Sequence, residues 1–162
     1  MILRPETPSD FPAVHRLHAA CFETGAEADL VDRLRDDGDA VISLVAEIEG
    51  AVAGHVMFSR MRAPFPALGL APVSVAAPWR RRAIAARLIE AGLDRAREGG
   101  WRGVFVLGDP AYYSRFGFSA EAAAGFESPY AGRYLMALSL DGEALPAAPG
   151  RVDYAPAFDG LA

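Results

Sequence analysis

A short β-branched run that leads into an arginine-rich helix start is the feature that most constrains this fold. Residues 73–75 read Val-Ser-Val, and Pro78 follows them. Beyond Arg81 the apolar residues recur at helical spacing, at Ile84, Leu88, Ile89 and Leu93. Gly92 interrupts this pattern and predicts a local weakness of about 1 kcal/mol relative to alanine. The sequence therefore predicts a strand that feeds a long helix, residues 81–98, through a tight turn.

Arg80, Arg81 and Arg82 place three positive charges at the start of that helix. A helix N-terminus has unpaired backbone N–H groups and a partial positive charge, so each cation there opposes the helix dipole by roughly 0.3–1 kcal/mol. The cluster becomes reasonable if an anion such as a diphosphate binds at the same N–H groups. The alternative is a solvated basic helix start that binds nothing.

The second informative segment begins with a continuous apolar run at residues 104–107, which is typical of a strand buried on both faces. Asp109 and Pro110 then predict an N-cap followed by the first helical position. A short helix over residues 111–116 is expected to end at Gly117. Because a helical crossover joins them, the strands at residues 69–76 and 104–107 are expected to run parallel.

Hydrophobic periodicity and turn residues predict the remaining elements, and their order indicates one mixed α/β domain over residues 1–162. The hairpin turn is Glu49-Gly50. A loose C-terminal tail is expected after the last strand. The predicted helices cover residues 10–21 and 27–35, and the predicted strands cover residues 2–4, 41–48, 51–60, 133–140 and 151–154.

Composition excludes several classes of protein. The chain has 162 residues, 52% of them hydrophobic, which is enough for one real core. A net charge of −5, with no basic tract outside Arg80–Arg82, argues against a nucleic-acid partner. The single cysteine, Cys21, fits a reducing compartment. No signal peptide and no membrane-length apolar run are visible, so a cytoplasmic location and no membrane partner are expected.

The two segments together resemble the acyl-CoA site of the GNAT superfamily of N-acetyltransferases, and most closely its YhbS-like bacterial branch. The branch-level match is the run Leu107-Gly-Asp-Pro-Ala-Tyr-Tyr-Ser-Arg-Phe-Gly-Phe118. The resemblance implies an α/β (α+β) fold with a central twisted sheet, splayed parallel strands and flanking helices. It also implies acetyl-CoA as the acyl donor, no metal, and direct transfer to a primary amine.

The same resemblance assigns roles to individual residues. The backbone of Val73, Ser74 and Val75 is expected to bind the pantetheine arm. Tyr113, four residues before Gly117, is expected to act as general acid on the departing thiolate; the alternative is an aromatic core patch with Tyr112, Phe116 and Phe118. The other residues expected to bind the cofactor are Arg80, Arg81, Arg82, Ala83, Ile84, Ala85, Ala86, Asp109 and Ala111.

Ala83 departs from the superfamily pattern, which has glycine at this position. Its methyl group is expected to crowd a phosphate, whereas the backbone donors remain if Ala83 keeps helical dihedrals. The strand at residues 69–76 also has no carboxylate to serve as a general base. The competing hypothesis is therefore a module that binds acyl-CoA, or regulates a partner, without turnover.

The acceptor side is less defined by the sequence. Glu47 is a candidate base acting through water, and His55 is either a satisfied core histidine or part of the acceptor pocket. The acidic residues around the second helix form either a solvated face or a surface that attracts a cationic amine. The acceptor is expected to be a small-molecule or peptide amine, and the sequence leaves a homodimer open.

Overall fold

The computed structural model describes residues 1–146 and 150–161. A six-stranded sheet forms its centre, with helices on both faces. The elements in chain order are β1 (Ile2–Pro5), α1 (Phe11–Cys21), α2 (Ala26–Asp36), β2 (Ala40–Ile48), β3 (Ala51–Arg60), β4 (Ala67–Val75), α3 (Ile84–Glu98), β5 (Gly103–Leu107), α4 (Pro110–Tyr113), α5 (Ala120–Ala123), β6 (Phe126–Glu127), β7 (Leu135–Ser139) and β8 (Gly150–Arg151).

The strand order in the main sheet is β1-β2-β3-β4-β5-β7, and β6 pairs with β8 in a separate two-stranded ribbon. Only β4 and β5 run parallel within the main sheet, as the helical crossover predicts. One core cluster packs α3 against the sheet, and a second packs α1 and α2 against the other face. No helix in the described residues is both long and apolar enough to cross a membrane.

The two parallel strands part within the domain. Their pairing ends at Gly69 opposite Phe105, although β4 continues for six residues and β5 for two. The register between β3 and β4 also shifts between Val56 and Phe58, across from Pro72, which has no N–H to donate to a ladder. The splayed parallel strands expected from the resemblance are therefore present, and β4 is irregular beside Pro72.

Three sequence predictions about element bounds and the C-terminus were wrong. The long helix begins at Ile84 rather than Arg81, because Arg81 (φ 65°) and Ala83 (φ 58°) have left-handed backbone that cannot continue a right-handed helix. The C-terminal tail is not loose: Ala157 and Phe158, in a 3-10 helix, pack against α2 and Val14. The expected strand at residues 151–154 is shorter, because only Gly150–Arg151 pairs as a strand.

A chain of buried or half-buried polar side chains links α1 to three strands, β2, β3 and β4. His18 Nδ1 lies 2.8 Å from Ser74 Oγ, and His18 Nε2 lies 2.7 Å from His55 Nδ1. The chain continues from His55 Nε2 to Ser43 Oγ at 2.8 Å. Burial, and secondarily the positive charge of Arg35, lowers the pKa of His18 to about 4. Both imidazoles are fully buried, so the folded protein keeps them neutral at physiological pH.

Gly92 is required by packing rather than being a weak point. A Cβ at this position would overlap the ring of Phe58. Gly92→Ala is therefore expected to lower the free energy of unfolding by about 1–3 kcal/mol through overpacking, despite the better helix propensity of alanine. Urea denaturation measures the effect. Gly25→Ala is the control, since nothing lies within 4 Å of its added Cβ; equal stability of the two variants would contradict this packing.

Acid should destabilise the protein through His18. Below pH 6.5 the unfolded chain binds a proton at this residue, whereas the folded chain does so only near pH 4. Stability is therefore retained above pH 6.5 and lost as the pH falls, by about 2 kcal/mol at pH 5. Urea denaturation at pH 7.5 and 5 should show this loss, and His18→Gln should reduce it. His15→Gln, on the exposed side of the same helix, should not; an unchanged pH dependence in His18→Gln would refute the assignment.

Candidate active site

The arginine turn lies between the end of β4 and the start of α3. A short 3-10 helix, Ala77–Trp79, carries the chain away from the sheet, and Arg81 and Ala83 then adopt left-handed backbone on either side of Arg82. Alternation of backbone hand within a turn directs successive N–H groups into a concavity that suits anions. The turn leads directly into the N-terminus of the 15-residue helix α3, which adds its own unpaired N–H groups.

A groove of about 400 Å³ lies beside this turn. Three guanidinium-bearing side chains line it, those of Arg80, Arg81 and Arg115, and no carboxylate does. Arg80 Nε also donates to the carbonyl oxygen of Val75 at 3.1 Å, which joins the turn to the end of β4. The remaining lining residues are Val75, Trp79, Ala83, Ile84, Ala85, Ala86 and Tyr112. A groove with this charge and these helix N–H groups is suited to a diphosphate.

Most residues predicted to bind the cofactor line this groove, but some do not. The guanidinium of Arg82 instead lies over the ring of Trp79, 5.2 Å from its centroid. The side chain of Ser74 faces His18, and Val73 packs against the α3 core. Asp109 uses its carboxylate to cap the short helix α4, accepting from the N–H of Ala111 at 3.0 Å. Asp109 and Ala111 therefore have a local structural role, at the start of the short helix that follows β5.

Sequence reasoning missed Arg115, Trp79 and Tyr112 as groove residues. The guanidinium of Arg115 lies 4.4 Å from the centroid of the Tyr112 ring, and its Nε donates to the Tyr112 carbonyl oxygen. A signal was available for Arg115, since parallel strands end at one edge of a sheet and this residue follows β5 as the arginine turn follows β4. Tyr112 belongs to the expected aromatic patch, with its ring centroid 5.1 Å from that of Tyr113 and 5.5 Å from that of Phe116, and it also lines the groove.

Tyr113 is half-buried and is the last residue of α4, which follows β5. Its ring lies directly on Gly108, where an added Cβ would be 2.6 Å from the ring, and it contacts Phe118 edge-to-face at a centroid distance of 6.0 Å. Burial, and secondarily the neighbouring Tyr112, raises the pKa of Tyr113 to about 12. The phenol is therefore protonated at neutral pH and available as a hydrogen-bond donor.

The two acceptor-side candidates already have partners. The carboxylate of Glu47 accepts from Arg4 Nε at 3.1 Å. His55 is fully buried between His18 and Ser43. His15, Asp29 and Asp32 bring their ligand atoms within 4.8 Å of one another on the surface, but exposed acidic groups commonly gather without a metal ion.

Comparisons with known proteins agree with this architecture. The model of the Acetyltransferase (GNAT) family matches residues 11–118. The chain is 43% identical over 126 residues to YhbS of Escherichia coli K12, described as an uncharacterized N-acetyltransferase, and the alignment covers 75% of each chain.

Solved structures extend the similarity to nearly the whole chain. A crystal structure of YhbS from Escherichia coli in complex with CoA superposes with a TM-score of 0.91 and 36% identity, covering 98% of this chain and 91% of that one. A GNAT family acetyltransferase from Brucella melitensis in complex with acetyl-CoA gives a TM-score of 0.82 and 33% identity, covering 98% and 97%. Sequence, fold and the arginine-lined groove lead to the same conclusion: this chain belongs to the GNAT family of acetyltransferases.

Proposed function

We propose that this protein transfers an acetyl group from acetyl-CoA to a primary amine, directly and within a ternary complex. The observation that carries the proposal is the arginine-lined groove, which begins at the end of β4 where β4 and β5 have already parted. The CoA and acetyl-CoA complexes of the two similar structures support the same donor. Arg80, Arg81 and Arg115 would hold the diphosphate, together with the N–H groups of the turn.

The parted strands provide the second requirement of acyl transfer. Backbone groups of Val73, Ser74 and Val75 lie beyond the last β4–β5 pair, so they are free of that ladder and can bind an amide-containing arm. A backbone N–H at this edge would also polarise the thioester carbonyl. The neutral amine attacks the carbonyl carbon, the C–N bond forms as the C–S bond breaks, and the amine gives up one proton to solvent while the thiolate leaves.

Tyr113 would assist the departing sulfur. An ordinary thiol has a pKa of about 8.5, which lies below the value of about 12 at Tyr113. Complete proton transfer from this phenol to the thiolate is therefore uphill, and the main assistance is a hydrogen bond to the developing negative charge. Solvent then completes the protonation of the thiol.

The competing hypothesis is a binder without turnover. It is favoured by the absence of any carboxylate on β4 and by Ala83 at the position where the superfamily pattern has glycine. In that case the protein would bind acyl-CoA but release no thiol in the presence of amines. Neither property removes the groove, so both hypotheses predict acyl-CoA binding. They differ only in whether the acetyl group is transferred.

A thiol-release assay with acetyl-CoA across a panel of amines, with calorimetric titration of CoA, tests the proposal. Amine-dependent thiol release together with CoA binding is expected. Binding without release from any amine would favour the non-catalytic module, and loss of both would overturn the acyl-CoA assignment itself. A cytoplasmic location and a homodimer stay predictions, as does the choice between small-molecule and peptide amines.

Ala83→Gly should stabilise the protein and tighten CoA binding. The substitution removes a methyl group that borders the groove and is expected to crowd a phosphate. Ala83 precedes α3 and has left-handed backbone, so glycine carries no helix-propensity penalty there. Relief of left-handed strain should raise the free energy of unfolding by about 1 kcal/mol. Ala85→Gly is the matched control, because it removes a methyl from the same groove inside α3 and should destabilise. Denaturation and calorimetry measure both; a destabilised Ala83→Gly would contradict the strain.

Tyr113→Phe should lower kcat while leaving CoA affinity nearly unchanged, since the ring and its packing survive. Because the phenol acts mainly as a hydrogen-bond donor, a fall of about 10²-fold is expected, at the lower end of the range for general acids. Steady-state kinetics and calorimetry measure the two parts. Tyr112→Phe serves as the control and should have nearly normal kcat. Full activity in Tyr113→Phe would rule out this role.

A further inference from the structure

A small apolar pocket lies where β4 and β5 part. It has a volume of about 200 Å³ and is bordered by Leu70 and Ala71 of β4 and by Leu107, the last residue of β5. Ala71 and Leu107 stand two positions beyond the last paired residues, Gly69 and Phe105. The pocket therefore occupies the opening between the strands. A molecule bound there could reach an acyl group held by the backbone of β4.

This pocket opens away from the arginine groove. Ala71, Tyr154, Phe158 and Leu161 belong to the core cluster that packs with α1 and α2, whereas the groove residues Ile84 and Tyr112 pack on the α3 side. The groove proposed for acetyl-CoA and the apolar pocket thus lie on opposite faces of the sheet, on either side of the opening between β4 and β5. A larger cleft beside α1 and Arg80 includes no residue of β5 and does not span the parted strands.

The C-terminal segment forms the outer wall of the pocket. Tyr154 packs its ring on Gly69, where an added Cβ would lie 2.6 Å from Cε1, and Phe158 and Leu161 extend the apolar surface. The Tyr130 ring completes this wall, 5.7 Å from that of Tyr154. Leu107 is 46% exposed, which is unusual for a large apolar side chain and places it at the rim.

One residue of this wall carries a buried polar group without a partner. The hydroxyl oxygen of Tyr154 is buried and makes no hydrogen bond within the described residues. A buried hydroxyl left unpaired carries a free-energy cost that a ligand N–H or lone pair would remove. Burial, and then the neighbouring Tyr130 and Tyr113, raises the pKa of Tyr154, so it remains a neutral hydroxyl.

Among the residues that the structure describes, none that lines the pocket is charged. Charged residues line a separate groove that shares Tyr130 and Tyr154 with this pocket, namely Arg62, Arg151, Asp153 and Asp159. Arg151 pairs there with Asp153 at 2.9 Å. The acidic residues of α2 do not line the pocket either. A second positive charge on an acceptor would therefore lose its hydration in this pocket without gaining a counter-ion.

We propose that this pocket binds the acceptor, a primary amine on a small uncharged apolar body, with the Tyr154 hydroxyl positioning its nitrogen. The inference rests on the acetyl transfer proposed above and adds the substrate class. The apolar lining also favours the neutral form of the amine, which is the form that attacks a thioester. A dedicated carboxylate base is then less necessary, which agrees with the absence of one on β4.

Two amines with equal numbers of heavy atoms test the substrate class: isopentylamine and 1,4-diaminobutane, which replaces the branched end by a second ammonium. The kcat/KM for isopentylamine should exceed that for the diamine by at least about tenfold, because the pocket has no counter-ion. Leu107→Glu should narrow or reverse this preference by placing a carboxylate at the rim. Equal use of the two amines, or a preference of the wild type for the diamine, would overturn the inference.

Tyr154→Phe tests the positioning role. It should raise KM for isopentylamine about threefold to tenfold, as expected for one lost hydrogen bond, with little change in kcat or CoA affinity. It should also leave the unfolding midpoint of the free protein unchanged or higher, since an unpaired buried hydroxyl is removed; a purely structural role would lower it. Tyr134→Phe, at an exposed tyrosine outside the pocket, is the control. An unchanged KM in Tyr154→Phe would refute the positioning role.

Calorimetry separates this inference from the proposed function. Isopentylamine should bind to the CoA-loaded protein, and failure to bind would overturn the acceptor site while CoA binding stood. Failure to bind CoA at all would overturn the proposed function instead. If only amines with a second charge were acetylated, the proposed acetyl transfer would stand and the proposed apolar substrate class would be rejected.

Discussion

The parting of β4 from β5 is the constraint on which the rest of this molecule depends. Strands normally satisfy their backbone groups by pairing along their length, and leaving them unpaired within a fold has a free-energy cost. Here pairing stops at Gly69 and Phe105 while β4 runs on to Val75. The free edge creates an opening through the sheet, and every proposed functional group is arranged around it: the arginine turn at the end of β4, Tyr113 after β5, and the apolar pocket between the two strands.

Two local features hold that opening in shape. Pro72 lacks an N–H, and the register between β3 and β4 shifts opposite this part of β4. Gly69 has no side chain, which allows the Tyr154 ring to lie directly on the strand at the point of separation. A residue with a Cβ at this position would displace the ring and, with it, the C-terminal wall of the pocket.

The arginine turn stores strain that stability alone does not explain. Left-handed backbone at Arg81 and Ala83 costs roughly 1–2 kcal/mol per residue, and cations at the start of α3 oppose its dipole. The surrounding fold has to offset both costs. A bound diphosphate would turn the repulsion between the arginines and the α3 dipole into attraction of all of them to the anion. It would also accept hydrogen bonds from the N–H groups that the left-handed backbone directs into the groove. Unfavourable local choices concentrated at one turn are typical of a functional site.

The His18–His55 chain has a different character. It ties α1 to β2, β3 and β4 through short hydrogen bonds in a region that excludes water. Removing one partner would leave the others buried and unpaired, which is more costly than the bond itself. Its neutrality makes the junction between helix and sheet sensitive to acid at Ser74, whose own backbone is among the groups proposed to hold the donor.

The sequence by itself determined the order of elements, the parallel pairing of β4 and β5 and the location of the basic turn. Those features follow from local patterns: apolar runs for strands, helical spacing for α3, and Asp109-Pro110 as a helix start that the structure confirms through the Asp109 cap. The motif residues from Leu107 to Phe118 added the family. Each of these patterns involves residues that are close together in the sequence, so it can be recognised without knowledge of the fold.

Tertiary structure decided the rest, because it depends on residues far apart in the chain. The backbone at Arg81 and Ala83 is left-handed in the folded turn between β4 and α3, whereas the local sequence pattern alone predicted a helix from Arg81. The sequence pattern predicted that Gly92 weakens α3, but in the fold the Phe58 ring packs against this glycine and leaves no room for a Cβ. His18, His55 and Ser74 carry no spacing signal linking them, and only the fold joins them. The apolar pocket likewise draws its walls from β4, β5 and a C-terminal segment that local composition had left unstructured.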